Sequence, residues 1–287
     1  MPRRMLLPAL SLPLLAAALP MAQPVRPAAP STAPAGSPAL PYADLADLAL
    51  AAPVVAHVRL RRALALRPQE AVGVPAGFTR FYMEAELVAL IRGEAGTPAQ
   101  VKYLIDLPNQ PNGRVARPAR RAEHLIFARA VASRPGELQL VATDAQIAFS
   151  AAAADQTRAI LREALSPDAP QAVTGIGRAF HVPGVLQGSS ETQIFLLTGR
   201  NQPISITVRR EPNVEPRWFV SLSEFVDAGA TQPTRDTLLW YRLACFLPAQ
   251  LPASSLSETP EHAGAIAADY ALVRAGLGPC RRQRARR

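Results

Sequence analysis

The chain has 287 residues, 49% of them hydrophobic and 18% charged, which excludes a wholly disordered polypeptide and leaves length enough for a core in one or two domains. Its 29 prolines are too many for one compact domain, so part of the chain is predicted to be linker. The net charge of +9 sits at the two ends: Arg3, Arg4 and Arg26 near the start, Arg281, Arg282, Arg284, Arg286 and Arg287 at the end, with only +1 over residues 42–280. A nearly neutral body argues against a dedicated nucleic-acid binder, which needs a basic face or stripe. Lys102 is the only lysine beside 30 arginines, a bias that with the many alanines and prolines points to high-GC coding.

Residues 1–22 are predicted to be an export signal. Arg3 and Arg4 form a positive start, Leu6 to Leu19 an apolar stretch broken by Pro8 and Pro13, and Ala16, Ala18 and Ala22 are small residues near a cleavage point. The stretch falls short of the roughly 20 residues that span a bilayer, so no transmembrane segment is expected after cleavage. Cleavage is placed after Ala22, with Ala16-Ala17-Ala18, which fits the A-x-A pattern, as the alternative. The run Arg3-Arg4-Met5-Leu6-Leu7 also resembles a twin-arginine signal, so both export routes stay open. A periplasmic or secreted location follows. Residues 23–41 form a Pro/Ala-rich linker, either a semi-rigid spacer or a plain tail after the signal.

A first folded part is predicted over 42–149. Tyr42 to Ala52 places Leu45, Leu48 and Ala49 at helical spacing until Pro53 stops the helix. From Val54 the period becomes two: Val54, Ala56, Val58, Leu60, Leu64 and Leu66 share a face, and Arg62 breaks the alternation as a bulge or strand end would. Phe81, Met83, Ala85, Leu87, Ala89 and Ile91 alternate with Tyr82, Glu84, Glu86 and Arg92. Val101, Tyr103, Ile105 and Leu107 alternate with Lys102 and Asp106. Shorter strands follow at Leu125 to Ala130 and Leu138 to Val141. Five strands fit a small barrel, because closure removes exposed edges.

The helix leading into PVVAHVRL, the long strand FYMEAELVALIRG, then AQVKYLIDL and HLIFARAV resemble the OB-type barrel of netrin-like modules in exported proteins. The resemblance covers roughly a third of the chain and implies shape alone. Netrin-like protease inhibitors act through a cysteine-bonded N-terminal edge, and this part has no cysteine, so inhibition is not implied. The whole chain also resembles exported proteins of high-GC bacteria, which implies no activity.

Residues 150–172 are predicted to be a connecting helix and turn, with Ile160, Leu161, Ala164 and Leu165 on one side. A second part, 173–280, is predicted to be an α+β module: a three- or four-stranded antiparallel meander covered by two helices. Strands are expected at Glu191 to Thr198, Ile204 to Val208 and Arg217 to Phe225, with a turn over Pro212 to Pro216. Thr234 and Thr259 are the expected helix caps, with Leu239, Leu243 and Phe246 facing inward from one helix and Ala263, Ile266, Tyr270, Val273 and Leu277 from the other. Cys245 and Cys280 flank this helical pair. Two cysteines beyond an export signal predict a disulfide, and no histidine at ligand spacing predicts no metal site. Residues 281–287 form a basic tail.

The candidate chemistry is sparse. His181, in AFHVPG, lies near Ser189 and Ser190, and with Asp168 it supplies the residue types of a Ser-His-Asp hydrolase. No G-x-S-x-G elbow surrounds either serine, and turn duty explains the same residues. Gly175-Ile176-Gly177 lacks the third glycine of a dinucleotide loop and is expected to be a tight turn; no cofactor is predicted. Glu84 and Glu86 share a strand face, either as a carboxylate pair or as the wet side of an amphipathic strand. His57, His124 and His262 are read as surface or packing residues. Arg114, Arg117, Arg120 and Arg121 lie in one loop and could bind phosphate-rich polymers, anionic lipid head groups or an acidic protein, alone or with the tail. The sequence thus points to an exported, non-catalytic binding or structural protein whose partner is an envelope protein or a polyanion. A periplasmic Ser/His hydrolase centred on His181 and polyanion or anionic-lipid attachment through the arginine loop and tail are the alternatives.

Overall fold

A computed structural model describes residues 40–94, 96–199, 204–222, 230–257 and 260–284. The expected signal segment, nearly all of the linker, the Thr259 cap and the last three residues of the tail lie outside them. The fold is α+β. Helix α1 (Tyr42–Ala51) leads into β1 (Val54–Ala65), β2 (Phe78–Arg92), β3 (Gln100–Pro108), β4 (Glu123–Ala130), β5 (Glu137–Leu140) and β6 (Gln146–Ala148). Helix α2 (Ala151–Leu165) connects to β7 (Val173–Pro183), β8 (Ser190–Thr198), β9 (Ile204–Glu211) and β10 (Val214–Ser221), followed by α3 (Leu238–Ala244) and α4 (Ala263–Leu277). Among the described residues no helix is long and apolar enough to cross a membrane.

The first sheet closes into a five-stranded barrel in the order β1-β2-β3-β5-β4, with β4 returning to β1. Every neighbouring pair is antiparallel except β3 and β5, which run parallel through Lys102↔Glu137 and Tyr103↔Leu138. The short β6, absent from the sequence expectation, takes over the edge of β4 that β5 leaves. Opposed pairs such as Phe81↔Ile105, Met83↔Tyr103 and Ala85↔Val101 point into the barrel, and all six side chains are buried. The β1–β2 ladder slips a residue between Leu60 and Arg62, where the broken alternation predicts a bulge. Helix α1 is buried nearly all round, wider than the predicted Leu45–Leu48–Ala49 stripe, because it is enclosed by β4, α2 and α3.

The second sheet is a four-stranded antiparallel meander, β7-β8-β9-β10. Three local readings change. Gly175-Ile176-Gly177 lies inside β7, where an ideal Cβ on Gly177 would come within 3.3 Å of the Phe195 carbonyl oxygen; close packing against β8, not a tight turn, accounts for the small residues. The β9–β10 turn is confined to Pro212 and Asn213, since Asn213 adopts a left-handed φ of 59° and the strand resumes at Val214. The cap of α3 is Thr237, whose hydroxyl accepts from the Trp240 amide while donating to the Thr234 carbonyl. In α2, Ile160 and Leu161 are buried, but Leu165 is 69% exposed at the C-terminal end of its helix.

The buried residues of both sheets and all four helices form one contiguous core. Glu163 on α2 accepts from the Leu238 amide at 2.7 Å, placing a carboxylate at the positive end of α3. Tyr42 meets Trp240 edge-on, locking α1 to α3. Cys245, at the C-cap of α3, and Cys280, three residues beyond α4, form a disulfide.

Candidate functional site

Alternation on β2 and β3 turns a second set of side chains outward. Arg80 opposes Asp106, Tyr82 opposes Leu104 and Glu84 opposes Lys102. The first two pairs and Lys102, with Glu137 and Gln139 of β5 and Arg134 of the β4–β5 loop, line an open groove of about 680 Å³ on the outside of the barrel. Arg80 is held in two hydrogen bonds by Asp106, at 2.7 and 2.9 Å, and Arg134 pairs with Glu137 at 3.2 Å. Leu104 is 47% exposed on the groove floor beside Tyr82. The Arg80–Asp106 contact raises the guanidinium pKa through that hydrogen bond, so Arg80 is a fixed cation. Sequence reasoning passed over Leu104, although an apolar residue at an outward position of an alternating strand is a legible signal of a binding face.

Strand β3, whose Asp106 lines the groove, runs on into the loop that carries the predicted arginines. Its start is tied to the β1–β2 turn by the Asn109 amide on the Gly77 carbonyl at 2.7 Å, and by the Thr79 hydroxyl on Asn109. Its end is pinned where β1 bulges: the Arg121 amide donates to the Leu60 carbonyl and the Leu60 amide to the Ala122 carbonyl. Between them Pro111-Asn112-Gly113 makes a turn closed by the Gly113 amide on Gln110, with Gly113 at a φ of 79°. Arg114, Arg117, Arg120 and Arg121 are all exposed, and among the described residues none is in an ion pair. By contrast Arg59, Arg80, Arg134, Arg209, Arg210, Arg282 and Arg284 each face a carboxylate.

His181 sits on β7 opposite Thr192 of β8, its side chain 10% exposed. Its Nδ1 lies 2.8 Å from the Thr192 hydroxyl, which donates in turn to the buried Asp269 of α4. With the hydroxyl proton committed to Asp269, the Thr192 oxygen accepts from Nδ1 and leaves Nε2 as the basic nitrogen. Arg210 of β9 donates to the other carboxylate oxygen at 2.7 Å. The His262 ring stands 5.1 Å from that of His181. Burial lowers the His181 pKa; the Asp269 charge opposes the shift, and His262 and Arg210 reinforce it.

The expected hydrolase partners are dispersed. Asp168 is exposed in the turn after α2, where its amide bonds Ser166 Oγ, and Asp269 takes the carboxylate place beside His181. The Ser189 hydroxyl donates to the Leu186 carbonyl in the β7–β8 turn. Ser190 opposes Pro183, one pair further along the ladder face from His181 and Thr192; among the described residues no hydrogen bond joins either serine to the imidazole. Asp269 lies 88 positions beyond His181 in the chain, so only the packing of α4 on the sheet brings them together.

The remaining histidines have local partners or enclosed surroundings. His57 stacks on Phe149 at 3.6 Å between ring centres and bonds Glu123, which also receives Arg59 and whose pKa is lowered chiefly by that guanidinium. His124 is held below the usual imidazole pKa by burial. Glu84 and Glu86 lie on the wet face of β2, Glu86 pairing with Arg61 at 3.5 Å. Among the described residues no group of three or more His, Cys, Asp or Glu side chains could hold a metal. Comparison with protein-family models finds no match, and comparison with curated proteins finds none.

Proposed function

We propose that this chain is an exported, non-catalytic recognition protein of the bacterial envelope whose barrel binds an acidic polymer. The observation that carries the reading is the set of four exposed guanidiniums on one tethered loop, Arg114, Arg117, Arg120 and Arg121, without a carboxylate partner among the described residues, whereas Arg80 and Arg134 beside the groove and Arg282 near the C-terminal end each face one. Unmatched arginines favour an external anion, since each retains its capacity for bidentate bonding to carboxylate, sulfate or phosphate. The strand order 1-2-3-5-4-1, with strands three and five parallel, supports the OB-like reading, in which the outer face of strands two and three and the adjoining loops receive oligosaccharides or oligonucleotides. The groove on that face carries three cations, Arg80, Lys102 and Arg134, against two carboxylates, Asp106 and Glu137, and of its two tyrosines Tyr103 is buried, which favours an acidic saccharide over a run of stacked bases. The positive leader, the Pro/Ala-rich linker and the disulfide support export.

The test is elution of the purified protein from a sulfated-polysaccharide column in a salt gradient. Replacing the four loop arginines by alanine is expected to lower the eluting salt concentration clearly, while the protein keeps its thermal midpoint. Elution of the variant together with the wild type refutes the reading.

A further inference from the structure

We propose that the acidic cleft formed by Asp44 and Asp47 of α1 and Asp144 before β6 is a receptor for an extended Arg-x-Arg peptide segment, and that residues 282–284 occupy it in cis as a strap. The segment beyond the disulfide folds back across α1. Arg282 bonds both carboxylate oxygens of Asp47, at 2.8 and 3.2 Å, and Arg284 bonds both of Asp144, at 2.8 and 2.6 Å. Between them the chain is held by its backbone, because the Gln283 and Arg284 amides both donate to Asp44 Oδ2, at 2.7 and 3.2 Å. Gln283 stays exposed, as expected of the x position. Two bidentate guanidinium clamps flanking a main-chain anchor are how a site reads an extended peptide, with backbone bonds for registry and alternate side chains for specificity.

Asp44 carries the argument beyond an ordinary surface tether. It is fully buried, and its Oδ1 has no hydrogen-bond partner among the described residues. With the strap seated, this desolvated carboxylate is matched by two main-chain donors and the nearby Arg282 charge, so α1 presents a seat that a chain fills. Asp47 is also fixed from behind, by the Tyr241 hydroxyl at 2.5 Å. The cleft does not end at the strap: a cavity of about 570 Å³ continues past Arg284 along Phe78 and Asp106, room for residues beyond an Arg-x-Arg core. The strap therefore withdraws Arg282 and Arg284 from the polyanion attachment that the basic tail suggests, and makes this end of the molecule a basic-peptide site closed by its own chain.

The experiment uses the full chain with Arg282→Ala and Arg284→Ala, and a fluorescein-labelled peptide of the sequence of residues 281–287 as probe, followed by anisotropy. A tethered segment competes at an effective concentration on the order of millimolar, so the peptide is expected to bind the variant at least ~10-fold more tightly than the wild type. Adding Asp47→Asn and Asp144→Asn should abolish that gain. A peptide with lysine at the 282 and 284 positions should bind markedly more weakly, since ammonium groups cannot make the paired bonds. Equal binding to wild type and strap variant, or equal binding of the arginine and lysine peptides, overturns the proposal. If the strap variant loses its fold by circular dichroism, Arg284→Ala alone serves: its contact with Asp144 is exposed on the carboxylate side, and the same ordering of affinities is required of it.

Discussion

Replacing Cys245 and Cys280 together by alanine tests how the helical end of the molecule is held. The bond closes a loop of sequence separation 35 that contains α4 and the turns before it. In the chain-entropy account, the cost of closing a loop this long is removed from the unfolded state, which corresponds to about 4 kcal/mol of stability at 25 °C. Both cysteines are only partly buried against the core, so alanine leaves little void, and the native helices keep their other anchors, including the Trp240 indole on the Leu277 carbonyl at 2.8 Å. Urea unfolding followed by fluorescence and circular dichroism should therefore show a midpoint lower by about 2 M for an m-value near 2 kcal/mol/M, with m itself rising because the uncrosslinked chain exposes more surface. Wild type reduced by dithiothreitol should match the double variant. A loss below about 1 kcal/mol, or a loss accompanied by weakened native-state amide protection in α3 and α4, would refute the entropic reasoning and put the bond's contribution in native packing.

Two further outcomes follow from close contacts. A Cβ added at Gly276 of α4 would lie 2.6 Å from Trp218 Nε1 and 2.9 Å from two ring carbons, and Trp218 is buried under that helix. Gly276→Ala is therefore expected to destabilise by about 1–3 kcal/mol despite alanine's better helix propensity, with a shift in indole emission; an unchanged or raised midpoint would contradict the packing. His181 has a lowered pKa in the folded protein, so between that value and the ordinary imidazole range near 6.5 the unfolded chain binds more protons. Stability should fall as the pH drops below about 6.5, and His181→Asn should flatten that part of the curve, leaving a smaller slope of the same sign from buried His124. An identical pH dependence in variant and wild type would exclude His181 as its source.

Local patterning carried much of the fold. Pro53 ends α1, the period-two runs of β2 and β3 place Phe81, Met83, Val101 and Tyr103 inside, and the irregularity at Arg62 coincides with a real slip in the ladder. The misreadings share a cause. Gly175 and Gly177 suggest a turn by composition, yet neighbouring β8 demands small residues there; Thr234 and Thr237 are equivalent as caps until the fold decides which residue leaves helical geometry first. β7 is hard to read because bulges on its ladder with β8 break the alternation that would have revealed it. At the candidate sites, the arginine loop was legible because its charges are contiguous in sequence, whereas the groove needed Tyr82 and Leu104 to be recognised as neighbours across two strands.

By itself the sequence determined most of the elements, the inward faces of β2 and β3, the cysteine pair and the clustering of charge, since each depends on a spacing of a few residues or on composition. Tertiary structure alone decided that β4 closes on β1, that Asp269 and not Asp168 stands behind His181, and that Arg282 and Arg284 are seated on Asp47 and Asp144. Those partners lie from 64 to 235 positions apart along the chain, and no local periodicity can encode which distant groups meet once the shared core is packed.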